Sequence, residues 1–247
     1  MASEQAPGEE KRPADEFTFI DQSRPPDQLP IFPLPNVLLF PNMVLPLHIF
    51  EERYKEMIRH CIETESTFGV VMLERGAAEE GRSRAEPLPS LIGCTAHISQ
   101  VQELPDGRMN IVVVGRERFK IHAFDTEKAY LRGTVEYIPI AQAGGMPADD
   151  AVTGLRRCIH GYLQVLEKGG RIQPGARRLP RDPVILASLA AVMLHDISVS
   201  QRQSLLEAAD LAVMFDDLRA LYRREIVLLE AMLTEPQDDQ LAPFSPN

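Results

Sequence analysis

The residues with most scope for catalysis or metal binding are six histidines, three cysteines and five lysines, and their spacing argues against both roles. His48, His60, His97, His122, His160 and His195 stand far apart and never pair at the short intervals that chelate zinc. Cys61, Cys94 and Cys158 are odd in number and contain no CxxC, the pattern of reduced thiols and not of a disulfide framework or zinc knuckle. Lys11, Lys55, Lys120, Lys128 and Lys168 lie in no context resembling a serine–lysine peptidase. A phosphate loop, a GxSxG elbow, an HExxH helix and a GxGxxG turn are all missing. The expectation is a protein with no catalytic residues, no metal and no cofactor.

A binding role has better support. The segment LPLHIFEERY joins an apolar run to a charged one. Glu51 and Glu52 suit a first helical turn, where carboxylates complement the helix dipole. Arg53 can reach a nearby carboxylate or carbonyl, and Tyr54 opens an apolar stripe. An arginine and a tyrosine at such a junction can also line a peptide groove. Two basic features have plainer readings. Arg116 and Arg118, flanking Glu117, read as solvent-facing charges at a sheet edge that discourage pairing with other chains. The loop arginines 171, 177, 178 and 181 read as solvated, with a small anion or an acidic segment as the sharper alternative.

The elements that hold these residues follow from pattern. Leu29–Phe50 is twenty-two residues without a charge, long enough to span a membrane. Pro30, Pro33, Pro35, Pro41 and Pro46 forbid a spanning helix, because each removes a backbone hydrogen bond. The run is instead predicted to form short buried strands at Ile31–Leu34, Val37–Phe40 and Met43–Leu47. Tyr54, Met57, Ile58, Cys61 and Ile62 repeat with helical period. Phe68–Leu73 reads as a buried strand, and Glu74–Ser90 as an exposed loop. Ile92–Leu104 and Met109–Ala123 flank Pro105-Asp106-Gly107, a strong hairpin signal. Gly115 marks a bulge or bend in the second arm, and Tyr130–Ile138 is a further strand.

Beyond a linker the pattern turns helical. Asp149–Lys168 ends at Gly169-Gly170, a second helix begins at Pro183, and Ser200 with Gln203 fits a capping box. Asp210 caps a long helix with Leu211, Phe215, Leu218, Tyr222, Ile226, Leu229 and Leu233 on one face. Strands followed by helices predict an α+β fold. The expected organisation is a disordered tail over 1–28, a β-rich unit over 29–140, a linker over 141–148, a helical unit over 149–234 and a tail over 235–247. The net charge of −10 disfavours nucleic acid and anionic membrane as partners. The acidic N-terminus has no apolar signal core, so the expected location is cytoplasmic.

Three segments carry a family resemblance. LPIFPLPNVLLFPNMVLPLHIFEERYKEMI resembles the opening of the N-terminal substrate-binding domain of Lon protease. GCTAHISQVQELPDGRMNIVVVGRERFKI is similar to that domain's later hairpin, and LASLAAVMLHDISVSQRQSLLEAADLAVMFDDLRALYRREI to its helical part. The resemblance spans about 29 to 233. It implies a PUA-like, mostly antiparallel β-barrel with one inserted helix, followed by a bundle of about four helices. It also implies a standalone, non-catalytic module without the ATPase and peptidase of Lon, although the standalone copies usually have proline where Glu52 stands. Glu51, Gly93, Asp106, Gly107, Gly115, Arg118 and Phe119 belong to its structural motifs.

The function this implies is binding of unfolded or extended polypeptide in protein quality control, alongside a protease or chaperone. Leu34, Pro35, Phe40, Leu47, Phe50, Arg53 and Tyr54 are the residues expected to line or support the peptide groove. Two other readings stand beside it: RNA binding by a PUA-like barrel, and a small-molecule site between barrel and bundle.

Overall fold

Two asparagines decide how the apolar run folds. The computed structural model describes residues 27–74, 88–140, 146–175 and 177–234. Strand β1 (Asp27–Pro35) ends at Asn36, whose backbone is left-handed (φ 60°), and Asn42 (φ 64°) precedes strand β2 (Val44–Ile49). Asparagine enters this region more readily than most side chains do. The strand expected at Val37–Phe40 does not form. Its alternating apolar residues serve two cores instead: Leu39 packs with Phe32 and Met57, while Phe40 packs with Leu155 and Phe215.

Helix α1 (Glu52–Glu63) follows, burying Tyr54, Met57, Ile58 and Cys61, but Ile62 faces outward. The remaining strands are β3 (Phe68–Glu74), β4 (Leu88–Pro89), β5 (Ile92–Glu103), β6 (Met109–Asp125) and β7 (Arg132–Tyr137). Among the described residues all pairings are antiparallel except β1 with β3, and that parallel pair closes a ring β1–β7–β6–β5–β3. Strand β2 lies off the ring, on the first half of β6. Leu29, Ile31, Val71, Phe119, Ile121 and Val135 pack as one cluster. Gly93 makes room for it, since a Cβ there would lie 2.4 Å from the Val70 carbonyl oxygen and 2.8 Å from the Phe119 ring. At the β5–β6 turn the Asp106 carboxylate accepts from the Arg108 amide (3.1 Å) and guanidinium (2.6 Å), and Gly107 supplies the positive φ.

Four more helices lie among the described residues. Helix α2 (Asp149–Lys168) has the predicted bounds, and α3 (Pro183–Met193) starts at proline behind an Asp182 cap. Helix α4 (Val199–Glu207) is capped two residues earlier than expected, by the reciprocal pair Ser198 and Gln201. Ser200 and Gln203 fit the same spacing, but Gln203 is buried and donates to the Ile92 carbonyl of β5 (3.1 Å) and to Glu207 (2.7 Å). Asp210 caps α5 (Leu211–Thr234), accepting from the Val213 amide at 2.9 Å. Of the expected tails, linker and loop, residues 1–26, 75–87, 141–145 and 235–247 lie outside the described residues. Asp27 and Gln28 belong to β1, and Leu88 and Pro89 to β4.

The sheet and the helices meet at β6. Two residues, Arg116 and Glu117, stand opposite the single Thr95 of β5, so the strand bulges just past Gly115. Arg118 is not at a solvent-facing edge. It is buried, and its Nη1 donates to the carbonyls of Leu206 (2.7 Å) and Ala208 (2.8 Å) at the end of α4, while Nε donates to Ile138 (3.2 Å). Burial pushes the guanidinium pKa down from its usual value, yet arginine remains protonated at any ordinary pH. The negative end of the helix supplies the compensating charge.

Two substitutions test this junction. Arg118→Met leaves three carbonyls without a donor and is expected to cost about 3 kcal/mol, a fall in Tm of roughly 6–12 °C. Exposed Arg116→Met is expected to stay within about 0.5 kcal/mol of wild type; equal effects at the two sites would refute the buried role. Gly115→Ala would put a Cβ 2.2 Å from the Phe40 carbonyl oxygen. Because that obstacle is backbone, a loss of about 1–3 kcal/mol is expected, and a Tm unchanged in thermal unfolding would contradict it.

Candidate functional site

The first half of β6 is flanked by β2 on one side and β5 on the other, and its side chains alternate. Met109, Ile111 and Val113 turn into the core, leaving Asn110, Val112 and Val114 on the outer face. Register then sets Pro46 and His48 of β2, and Gln100 and Gln102 of β5, beside Val112 and Asn110. A row of hydrogen bonds crosses the three strands. His48 Nδ1 lies 2.7 Å from Asn110 Oδ1, and Asn110 Nδ2 donates to Gln102 Oε1 at 3.2 Å. With Asn110 Oδ1 as acceptor, His48 Nδ1 is the donor of this bond.

Apolar surface surrounds this row. Phe50 stacks on the His48 ring with centroids 6.0 Å apart, and Val44 and Phe50 are 65% and 60% exposed. Pro46 and Val112 add apolar surface to an open groove of about 520 Å³, which Leu47, Val101 and Ile111 border from the inward-facing register of the same strands. Among the described residues, none that lines it is Asp, Glu, Lys or Arg. Such a face offers amide and imidazole hydrogen bonding beside apolar contact, with no nucleophile activated by a neighbouring base.

The seven residues expected to line or support a groove are spread over several environments. Leu47 borders this one but packs against the core beneath the sheet, and Phe50 adjoins it through His48. Leu34 and Tyr54 pack beneath the sheet with Phe32, whose ring centroid is 4.3 Å from that of Tyr54. Burial pushes the Tyr54 hydroxyl pKa up. Arg53 stands over the Tyr54 ring at 4.6 Å and pairs with Glu51 at 2.8 Å; Glu51 is the residue that caps α1 by position. Pro35 is exposed at the end of β1, and Phe40 is buried against the helices. The polar members of the face, His48, Gln100, Gln102 and Asn110, were not singled out by sequence. The alternation Gln100-Val101-Gln102 was the available signal of a solvated strand face.

Elsewhere the chemistry is quiet. Cys94 is fully buried, which pushes its thiol up to about 12. Among the described residues, no group of three or more His, Cys, Asp and Glu could hold a metal ion. Among them also, no helix is long and apolar enough to cross a membrane. Arg171 pairs with Asp196 at 3.2 Å, and Arg177 donates to the Gln173 carbonyl at 3.4 Å. At the junction of sheet and helices, Phe40, Arg118, Leu206 and Met214 border a cavity of only about 10 Å³, too small for an organic ligand.

Known proteins share this architecture. Residues 28–221 match the model of the ATP-dependent protease La (LON) substrate-binding domain. The Lon protease of Koribacter versatilis is 26% identical over 216 residues, covering 84% of this chain and 25% of the relative. That of Escherichia coli K12 is 24% identical over 206 residues, covering 82% and 25%. The chain thus spans about a quarter of the length of these curated relatives. Among solved structures, a Lon N-terminal domain protein from Xanthomonas campestris superposes with a TM-score of 0.58 at 22% identity, covering 78% of this chain and 98% of the other. The N-terminal domain of Mycobacterium avium complex Lon protease gives 0.57 at 18% identity, covering 80% and 98%. These likenesses agree on a mostly antiparallel ring of strands with associated helices, and with the match over residues 28–221 they establish that the chain belongs to the LON substrate-binding domain family.

Proposed function

We infer that this chain is a non-catalytic module that binds unfolded or extended polypeptide, and that the face formed by β2, β6 and β5 is where it does so. The observation that carries the reading is the uncharged groove with its row of His48, Asn110 and Gln102 set in apolar surface. Side-chain amides can meet a peptide backbone whatever its sequence, and the adjoining Val44, Val112 and Phe50 accept apolar side chains. Family membership supports the same reading. The module passes such segments to a protease or chaperone in protein quality control. Three free cysteines favour the reducing cytoplasm as its location.

Fluorescence anisotropy with a labelled, reduced and alkylated model protein tests the reading. Micromolar binding is expected, with none for the same protein in its native, disulfide-bonded form. Asn110→Lys puts a charge into the row at an exposed position, so it is expected to weaken binding at least tenfold, about 1.4 kcal/mol, with Tm nearly unchanged. Phe50→Ala is expected to weaken binding by about threefold to tenfold through lost apolar area. Failure of the unfolded probe to bind at about 100 μM, some 5 kcal/mol of affinity, would overturn the proposal. Casein digestion, with and without ATP, is expected to stay at background.

A further inference from the structure

Strand β2 has a second edge. In an antiparallel pair, opposed residues alternate between those that exchange backbone hydrogen bonds and those that do not. Pro46 has no N–H, so Pro46 opposite Val112 belongs to the second kind. Leu45, Leu47 and Ile49 are then the residues bonded to β6. Two contacts agree: Gly115 donates to the Met43 carbonyl (2.9 Å), while the Val112 carbonyl takes the Ser99 hydroxyl of β5 (2.9 Å). Odd-numbered residues of this part of β6 thus face β2 and even-numbered ones face β5. By the same alternation Val44, Pro46 and His48 direct their backbone groups away from the sheet. Among the described residues no strand pairs with that side of β2.

We propose that this outer edge of β2 takes up an extended segment of another polypeptide as an added strand, and that Pro46 selects against a second copy of the chain. The inference rests on the polypeptide-binding reading above. The edge offers two donors, the amides of Val44 and His48, and three acceptors, the carbonyls of Val44, Pro46 and His48. Their complement is a neutral peptide backbone, and the described lining of the groove beside them includes no Asp, Glu, Lys or Arg in a chain whose net charge is −10. Uncharged side chains therefore fit the added strand best. A segment without proline forfeits one hydrogen bond opposite Pro46. Two copies paired edge to edge through the same residues forfeit two, one at each Pro46. That difference favours a foreign strand over self-association, in keeping with proline's use on sheet edges.

The test uses the full chain and a fluorescein-labelled dodecapeptide of alternating threonine and valine. A second peptide has the same sequence with every other amide N-methylated, which keeps the side chains and removes the donors of one edge; a third shifts the methylated positions by one residue. Binding of the unmethylated peptide, with one methylated form weakened at least tenfold and the other much less, is the expected result. Equal binding of all three would overturn strand addition while leaving polypeptide binding intact. Failure of all three, together with failure of the unfolded protein probe, would instead overturn the reading on which it rests. Val44→Pro removes one edge donor and is expected to weaken the unmethylated peptide several-fold without lowering Tm by more than a few degrees. Sedimentation decides the role of Pro46: monomer is expected for wild type at about 50 μM, a concentration that reveals any dimer with a low-micromolar Kd. A shift toward dimer is expected for Pro46→Val. A wild-type dimer abolished by Val44→Pro would overturn the selection against self.

Discussion

A guanidinium buried without a carboxylate is the constraint on which this fold turns. Taking Arg118 out of water costs several kcal/mol unless its donors are met. They are met by carbonyls at the end of α4 and just beyond β7, so the side chain is satisfied only when strand, helix and chain crossover are all in place. Misplacing α4 by a few ångströms would strand a full charge in the interior. Gln203 closes the same seam from the helical side by donating to Ile92 of β5. The two contacts are reciprocal. One reaches from sheet to helix end, the other from helix to sheet.

Strand β6 gathers the rest. Within a few residues it receives the Phe40 carbonyl against Gly115, bulges at Arg116 and Glu117, and then sends Arg118 into the helices. The segment between Asn36 and Asn42 is pinned at that spot, with Leu39 in one core and Phe40 in another. This pinning also places β2, which starts immediately afterwards and has only β6 as a partner among the described residues. The groove therefore depends on the buried junction although it shares few residues with it. A loosened Phe40 turn would release β2 at its root and widen the outer face.

Much of this was legible where signals are local. The hairpin around Asp106-Gly107, the bounds of α2 and the proline start of α3 all follow from turn chemistry and helical period, which act over a few residues. The failures share one cause. Val37–Phe40 has the alternation of a strand, but no sequence window reveals that its neighbouring side chains enter different cores. Arg118 sits in a run of charges that reads as solvated, and only the distant α4 terminus makes its burial tolerable. Ser200 and Gln203 match a capping box as well as Ser198 and Gln201 do; the buried bond from Gln203 to Ile92 gives that residue a different task. The outer face was missed for a similar reason, since register alone joins His48 to Asn110, 62 positions away.

The character of that face follows from competing demands. A surface that accepts extended chains must expose apolar groups and an open strand edge, the features that promote aggregation. Charged side chains are the usual remedy, but a row of charge would also sort incoming segments by their own charge. Here the exposed row holds no Asp, Glu, Lys or Arg, and His48, Asn110 and Gln102 already bond to one another. That mutual satisfaction keeps the row in place without a ligand and makes its exchange for peptide hydrogen bonds nearly balanced in energy. Near-balance favours weak, reversible association over permanent capture, as the proposed role requires.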